Sequence, residues 1–583
     1  MTHRFVAVVA TALDGPRYEN LRAAAGHRLS GWGLAHSSAL AEVRVTADGP
    51  SQFGFRALGD RGCVIGLDFP GGAHHASANG PERMLEATWG AYIAMFVDRG
   101  ARRVTVLRDP TGRIECWRLQ LNGADLLFSH LDDVRAFASA PVAINWDFIA
   151  YHLTLPYLQG DQTGLADVTE VLPGEALVYA DGRATKHLAW QPHRIAGEPH
   201  RRLEVAREAI RGAAEVSAAT WSRVYKTIAL DLSGGLDSSI VLGLLRACAQ
   251  HQRVVGVNYV TAHAEGDERA YARDAAHRHS VDLLERQLRF EALGEADLFA
   301  GRALRPTSRM MPLGFDPLHS EILRELEADG YFTGSGGDHL FFDGLTGGCA
   351  VDYLYGGGTW RGFLAVAHQL ANLSKDTIWN VIGEALPTPR GHNRIAPILH
   401  RDTSFLCHTE MTFATLERFI HPWLRDVPAT TAPGKLHQIH NLAELYRHYW
   451  RYGRADVAEE IHPLISQPLM EACLRTPTYW FGVGGVQRGL ARRAFSDLLP
   501  ASVLYRRGKS ANTSHWVEAF VGNLPKVRRL LLDGVLAARG LVDRPRLEAA
   551  LNPLALSAAR QRACLVTCLT TEMWLQAMTS SLA

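Results

Sequence analysis

The sequence has little lysine, no long apolar run and no paired cysteines. Only six lysines occur in 583 residues, at positions 186, 226, 375, 435, 509 and 526, so nearly all basic residues are arginine. No apolar run approaches the ~20 residues that span a bilayer, and none of the eight cysteines forms a CxxC pair. Scattered thiols in a large chain are typical of a reducing compartment. We therefore expect a cytoplasmic protein.

An excess of either charge is also missing. The chain carries 61 Lys and Arg against 60 Asp and Glu, a net charge of +1. This balance argues against a whole-chain electrostatic interaction with nucleic acid or an anionic membrane, and we expect neither as a partner. A composition of 47% hydrophobic and 21% charged residues is that of a folded globular protein.

The pattern of the chain changes near residue 200. Up to about residue 190, short alternating or β-branched runs are separated by Gly, Asp and Pro turns, which is typical of a β-rich segment. A polar joint follows at 191–200. Beyond it, apolar runs alternate with helical patterns, which predicts a parallel α/β sheet, and the part after about residue 360 is mostly helical in pattern. We predict an α/β protein with domains at 1–195 and 200–583.

The strongest motif is Ser-Gly-Gly-Leu-Asp-Ser-Ser at 233–239, between a predicted strand that ends at Leu232 and a helix that begins near Ser238. Two glycines allow a sharp turn, and its amides, together with a helix N-terminus, make an anion site. Asp237 fits among phosphates only with a cation between them, which indicates Mg²⁺. The alternative is an ordinary serine-capped helix. No GxxxxGK[ST] is present, which excludes a Walker-type site.

A second motif, Thr-Gly-Ser-Gly-Gly-Asp at 333–338, follows another predicted strand. Parallel strands end at one edge of their sheet, where ligands bind. Asp237 and Asp338 are therefore predicted to share one Mg²⁺ that also binds pyrophosphate, although a plain glycine-rich turn is an alternative. The residues predicted to bind the nucleotide are Leu232, Ser233, Gly234, Gly235, Asp237, Ser238, Ser239 and Gly334.

These two motifs resemble the ATP-pyrophosphatase loop SGGxDS and, together, the synthetase domain of asparagine synthetases. The segments 494–500 and 507–509 resemble the family's region before its active-site lysine. The resemblance implies that Lys509 acts as a catalytic residue with Asp237 and Asp338, stabilising charge near the α-phosphate. Segments 89–92, 108–112 and 172–175 resemble the family's glutaminase-like domain. The implied architecture is a degenerate Ntn-hydrolase-like β-sandwich followed by a parallel-sheet ATP-pyrophosphatase domain (adenine nucleotide α-hydrolase-like) with a helical C-terminal extension.

The sequence departs from that family at three positions. The glutamine-using members begin with a cysteine nucleophile, whereas this chain begins Met1-Thr2-His3, so we expect no working glutaminase. Ser335 stands where asparagine synthetases have Glu and β-lactam synthetases have Tyr, and serine has no group that titrates near neutrality. Asp338 is followed by His339 instead of Glu.

A closer resemblance is to lasso-peptide cyclases, at segments 334–342, 360–364, 372–379, 462–471 and 505–510. It implies an ATP- and Mg²⁺-dependent, AMP-forming ligase that adenylates an Asp or Glu side chain of a precursor peptide. The N-terminal amine of the same peptide then closes a macrolactam. The implied partners are the precursor peptide, a leader-binding protein and a leader peptidase. Because both reacting ends lie in one substrate, ring closure is effectively unimolecular.

Three other functions are also compatible with the sequence. One is an asparagine or β-lactam synthetase acting on a small molecule, another a tRNA-modifying pyrophosphatase, and a third a non-catalytic nucleotide-binding scaffold. Asp267 and Glu268 follow the second predicted strand and are candidates for substrate contact or proton transfer, but a solvated helix start, favoured by the helix dipole, is the preferred interpretation. His437, His440 and His448 have helical spacing but lack the converging ligands of a zinc site.

Overall fold

The computed structural model describes most of the chain. The described residues are 4–11, 16–46, 54–71, 80–121, 123–135, 143–158, 160–248, 251–260, 266–288, 303–307, 311–385, 402–407, 416–449, 453–506, 508, 513–553, 556 and 561–582. Lys509 and the first three residues lie outside these ranges, so the expectations placed on them are not addressed by the structure.

Two antiparallel sheets build the first part of the chain. The first has the order β10-β8-β9-β1-β3-β2 and the second the order β12-β11-β7-β6-β5-β4. Their strands are β1 Arg4–Ala10, β2 Gly33–Ser37, β3 Ala41–Thr46, β4 Phe55–Ala57, β5 Gly62–Pro70, β6 Thr88–Asp98, β7 Arg103–Arg108, β8 Trp117–Leu121, β9 Ala124–Phe128, β10 Val168–Glu170, β11 Glu175–Ala180 and β12 Arg183–Leu188. The helices here are α1 Pro16–Arg28, α2 Pro81–Ala87, α3 Asp132–Arg135, α4 Trp146–Thr154 and α5 Pro192–Ala196.

The two antiparallel sheets contact each other through their buried faces. Tyr179 of β11 donates a hydrogen bond of 3.0 Å to Asp125 Oδ2 of β9, and the guanidinium of Arg118 lies 5.8 Å from the Tyr179 ring centre. The predicted β-rich first part is thereby confirmed, and the structure shows that its paired strands are antiparallel. The predicted polar joint is partly ordered, because α5 forms within it.

A five-stranded parallel sheet forms the centre of the second part, as predicted, with the order β15-β14-β13-β16-β17. The strands are β13 Thr227–Asp231, β14 Arg253–Val260, β15 Asp282–Gln287, β16 Gly330–Phe332 and β17 Glu459–Ile461, and the helices around them are α6 Leu203–Ser222, α7 Leu236–Cys248, α8 Arg269–Arg278 and α9 Met311–Glu325. From β13 the chain proceeds first to β14 and β15 on one side and later to β16 on the other. The order of the strands thus reverses at β13, and ligands bind at such switch points.

The remainder is helical, also as predicted. Its helices are α10 Gly337–Leu340, α11 Gly348–Tyr355, α12 Trp360–Ser374, α13 Ile378–Ala385, α14 Pro422–Arg425, α15 Pro433–Ala443, α16 Gln467–Leu474, α17 Gly489–Ala494, α18 Ala501–Leu504, α19 Thr513–Gly522, α20 Leu524–Asp533, α21 Val535–Ala538, α22 Arg544–Ala550 and α23 Arg562–Leu582. Among the described residues, no helix has the length and apolar character that crossing a membrane requires.

Buried polar contacts join the antiparallel sheets to the rest of the chain. Glu170 accepts from Arg108 at 2.5 Å and also pairs with Arg305. Farther along, Arg113 reaches Glu459, the first residue of β17, at 3.0 Å. The segment 108–112 is also part of this junction, because Tyr446 donates a hydrogen bond to Pro110 O at 3.1 Å. The domain limits at 1–195 and 200–583 remain a prediction.

Candidate nucleotide site at the ends of β13 and β16

The loop after β13 is fixed at its base by the neighbouring strand. The amide of Leu232 donates to Val257 O at 2.8 Å, and Asn258 Nδ2 donates to Leu232 O at the same distance. Gly234 follows with φ +74°, and a side-chain carbon there would lie 2.6 Å from the backbone nitrogen of Ala272. Both the positive φ and the close approach require glycine.

The serines of the motif line the start of α7. Ser233 Oγ lies 3.2 Å from Ser238 Oγ and accepts from the amide of Gly235 at 3.3 Å. The hydroxyl of Ser239 is buried and has no hydrogen-bond partner within the described part of the chain. Buried hydroxyls are normally satisfied. The loop therefore offers amides and hydroxyls to an anion at the N-terminus of a helix of 13 residues.

The loop after β16 packs directly on the first loop, because β13 and β16 are neighbours. A side-chain carbon at Gly334 would lie 2.5 Å from the backbone nitrogen of Ser238, and one at Gly337 would overlap the carboxyl carbon of Asp237. The glycines of the second motif are therefore needed for the two loops to touch. The two motifs lie next to each other at one edge of the sheet, as predicted.

Asp237 and Asp338 face each other across one guanidinium group. Arg488 Nη1 donates to Asp237 Oδ2 at 2.7 Å and to Asp338 Oδ1 at 2.5 Å. Asp237 has 12% of its side chain exposed and Asp338 has 41%. Burial acts to lower the pKa of Arg488, but the two carboxylates outweigh it and raise that pKa, so the side chain is charged. A single positive charge thus lies between the two predicted metal ligands.

This arrangement suits a divalent cation. Two carboxylate oxygens that already hold one cationic group between them are the donor type that Mg²⁺ prefers. The guanidinium of Arg488 places a positive charge between the two carboxylates. Arg488 has φ +56°, in the left-handed region that is uncommon for residues other than glycine.

Asp267 and Glu268 do not serve as free acids. Hydrogen bonds from the Arg269 side chain and backbone lower the pKa of Asp267 to about 2, so it is a poor base. Glu268 forms a buried ion pair with Arg506, whose guanidinium lies 4.1 Å from the Tyr271 ring centre. Glu268 therefore fits neither interpretation from the sequence, substrate contact or a solvated helix start. Its side chain holds Arg506 close to the first loop.

Beyond the second loop lies a group of histidines. Thr333 Oγ1 is 2.7 Å from His462 Nδ1, and the amide of Ser335 donates to Thr333 Oγ1 at 3.1 Å. Burial lowers the pKa of His462 to about 4. Among the described residues, no set of three or more His, Cys, Asp or Glu side chains is arranged to hold a metal ion.

The structure thus brings together every described residue of the predicted site. These are Leu232, Ser233, Gly234, Gly235, Asp237, Ser238, Ser239, Gly334 and Asp338. Arg488 was not among the residues predicted from the sequence. It lies just upstream of the segment 494–500 that carried the resemblance, but no local pattern distinguishes it from the many other arginines.

A parallel sheet with a glycine-serine loop at its switch point defines the class as α/β proteins, with a candidate ligand site at that edge of the sheet. The family model described as asparagine synthase matches residues 216–576, and the chain therefore belongs to the asparagine synthase family. That family supports an ATP-dependent ligase, in agreement with the predicted ATP use. Mg²⁺ is typical of the family.

Two solved structures show much weaker similarity. Glutamine phosphoribosylpyrophosphate amidotransferase from B. subtilis, complexed with ADP and GMP, is 11% identical over 57% of this chain and 90% of its own, with a TM-score of 0.20. A structure described as the allosteric regulatory enzyme of purine biosynthesis is 13% identical over 57% of this chain and 83% of its own, with a TM-score of 0.19. No curated protein sequence matches.

Proposed function

We propose that the protein is a lasso-peptide macrolactam synthetase, an AMP-forming ligase that adenylates an Asp or Glu side chain of a precursor peptide and joins it to that peptide's N-terminal amine. Membership of the asparagine synthase family supports the ATP-dependent part of this proposal. The resemblance of segments 334–342, 360–364, 372–379, 462–471 and 505–510 to lasso-peptide cyclases supports the choice of substrate.

The observation that carries the proposal is that Asp237 and Asp338, beside the glycine-serine loop, both contact the guanidinium of Arg488. A site with amides, hydroxyls and a carboxylate pair suits a diphosphate that leaves with a divalent ion. In this proposal the loop 233–239 binds the leaving pyrophosphate, and Asp237 and Asp338 hold Mg²⁺, which would neutralise phosphate charge. Lys509 stabilises the negative charge that develops near the α-phosphate.

The substrate supplies the nucleophile itself. An amine held in the same pocket as the activated carboxyl reacts as if at a very high concentration, with effective molarities of about 10⁵ M or more in favourable cases. No ammonia is then needed, which is consistent with a first part whose segment 108–112 packs against the rest of the chain at Tyr446. We also propose a leader-binding protein and a leader peptidase as partners, because the amine is free only after the leader is removed, and a cytoplasmic location.

The experiment is a reaction of the protein with ATP, Mg²⁺, a candidate precursor peptide and the leader-processing partners. The expected products are AMP, pyrophosphate and a peptide lighter by one water. A precursor whose acceptor acid is changed to the amide should give none of them. Lys509→Ala should lose the product while ATP binding persists. If the protein instead joins ammonia to aspartate, or cyclises a small β-amino acid to a β-lactam, the product mass identifies the small-molecule alternative.

A nucleotide-binding scaffold gives a different result in the same experiment. It would bind ATP, but no carboxylate substrate would raise ATP–pyrophosphate exchange above background. Exchange that depends on the precursor peptide would exclude this alternative.

A further inference from the structure

The second loop is anchored at its start to the neighbouring strand. The amide of Thr333 donates to the carbonyl oxygen of Ile461, the last residue of β17, at 3.0 Å. The amide of Ser335 donates to the Thr333 hydroxyl at 3.1 Å, which closes a side-chain turn of the kind that serine and threonine form. Thr333 is 4% exposed. The course of the loop is therefore fixed at Thr333 before the chain reaches Asp338.

The hydroxyl of Thr333 has a second contact, with a buried imidazole. His462 directly follows β17 and is 3% exposed. Its Nδ1 atom lies 2.7 Å from Thr333 Oγ1, and its Nε2 atom lies 3.2 Å from the carbonyl oxygen of His448. A carbonyl oxygen only accepts hydrogen bonds, so Nε2 carries a proton.

These contacts fix the direction of both hydrogen bonds of the ring. Burial lowers the pKa of His462 to about 4, so the ring is neutral near pH 7 and its single proton is on Nε2. Nδ1 is then an acceptor, to which the Thr333 hydroxyl donates. The lone pairs of that hydroxyl face the amide of Ser335. One ordered chain of hydrogen bonds thus runs from Ser335 through Thr333 and His462 to the carbonyl group of His448.

The position of Asp338 depends on how the backbone of this loop is held. Its side chain is 41% exposed, so burial does not by itself determine where the carboxylate lies. Three of the four residues between Thr333 and Asp338 are glycines. Glycine has no side chain to pack and adopts many backbone conformations. An anchor outside the glycines is therefore needed, and the turn at Thr333 supplies it.

We propose that His462 is a positioning residue for Asp338 and acts through the Thr333 hydroxyl, an inference that rests on the proposed function. The imidazole aligns the hydroxyl, and the aligned hydroxyl holds the turn at Ser335. The turn in turn directs the glycines that follow, so that the carboxylate of Asp338 reaches the edge of the sheet where Asp237 lies. A side chain at 462 that only filled the space would not align the hydroxyl.

The test measures ATP binding by titration calorimetry, with increasing Mg²⁺ and with EDTA. Thr333→Val and His462→Phe should raise the Mg²⁺ concentration at which ATP binding is half-maximally tightened by about 10-fold, the upper end of what one lost hydrogen bond changes. ATP binding in EDTA should be unchanged in both variants. A general loosening of the fold would instead weaken binding under both conditions, or lower the number of binding sites, and would overturn the inference.

Conservative variants separate the hydrogen bonds from the space that the side chains fill. Thr333→Ser keeps the hydroxyl, and His462→Asn keeps an oxygen acceptor near the position of Nδ1, so both should stay within about threefold of the wild-type Mg²⁺ dependence. The double variant Thr333→Val/His462→Phe should be no worse than either single variant, because both break the same chain. Additive effects of the two substitutions would overturn the inference.

The control is Thr567→Val, which removes a similarly buried hydroxyl from α23, where it donates to Ala563 O at 2.9 Å. It should leave the Mg²⁺ dependence unchanged. Wild-type Mg²⁺ dependence in Thr333→Val would overturn the inference, as would a wild type that binds ATP equally with Mg²⁺ and with EDTA. Failure of the proposed function is distinguishable, because wild type would then bind ATP with Mg²⁺ but show no peptide-dependent ATP–pyrophosphate exchange.

Discussion

Asp237 and Asp338 accept hydrogen bonds from one and the same guanidinium nitrogen, although they come from different loops of the chain. Two carboxylates this close repel each other unless a positive charge lies between them. Arg488 provides that charge. The two carboxylates are thus held close together by this arginine.

Replacing Arg488 by glutamine should destabilise the metal-free protein. Removing one partner of a buried ion pair costs about 3–5 kcal/mol, and we expect about 2 kcal/mol here because Asp338 is 41% exposed. Mg²⁺ should restore more stability in Arg488→Gln than in wild type, since it would occupy the space between the carboxylates. Urea unfolding with and without Mg²⁺ measures both effects.

The matched control for Arg488→Gln is Arg211→Gln, which removes a more exposed pair with Asp497. It should cost less than about 1 kcal/mol and show no response to Mg²⁺. Equal stability of wild type and Arg488→Gln, with equal responses to Mg²⁺, would argue against a shared cation site.

Gly337→Ala should disable the site without unfolding the protein. The new methyl group would overlap the carboxyl carbon of Asp237, so that side chain must move. A misplacement of about 1 Å in an active site costs about 100-fold in rate. Peptide-dependent ATP–pyrophosphate exchange measures the loss. Gly212→Ala, in α6 with open space around it, is the control and should retain full exchange; normal exchange in Gly337→Ala would mean that Asp237 is not needed where it stands.

Glu268→Ala should act on stability. It leaves the guanidinium of Arg506 buried without its carboxylate, at a cost of about 3 kcal/mol. The midpoint of urea unfolding should fall accordingly. Asp267→Asn is the neighbouring control and should stay within about 1 kcal/mol, because that ion pair is largely solvated. A Glu268→Ala protein of normal stability that lacks activity would instead identify Glu268 as a catalytic acid or base.

The stability of the protein should fall as the pH drops below 6.5. Burial lowers the pKa of His462 to about 4 and those of His152 and His421 to about 3. A depressed pKa means that the unfolded chain binds these protons first, so stability is present above pH 6.5 and is lost as the pH falls through the folded-state pKa. Between pH 6.5 and 4.5, the free energy of unfolding of the His462→Asn variant should fall by about 2 kcal/mol less than that of wild type. Urea unfolding at the two pH values gives the difference, and parallel losses in both proteins would exclude a buried neutral His462.

The central strands could be predicted from the sequence because each is an apolar run directly before a glycine turn. β13 and β16 both have this pattern, and their parallel arrangement fixed which loops would meet. β17 could not be predicted, since its three residues are too short for periodicity and pair with a strand far away in the chain.

The candidate metal ligands could be predicted from the sequence, but the residues that contact them could not. Asp237 and Asp338 belong to motifs with local signals, whereas Arg488 reaches the loops only through tertiary packing. The roles of Asp267 and Glu268 depended on Arg269 and Arg506, and pairing of this kind cannot be read from composition or spacing.

The central claim is that the edge formed by β13 and β16 binds the leaving diphosphate through Asp237 and Asp338. The most direct measurement is peptide- and Mg²⁺-dependent ATP–pyrophosphate exchange in wild type, Asp237→Asn and Asp338→Asn. We expect both variants to fold and to lose about 100-fold or more in exchange, as is usual when a charge-stabilising group is removed. Exchange at the wild-type rate in Asp237→Asn would contradict the account.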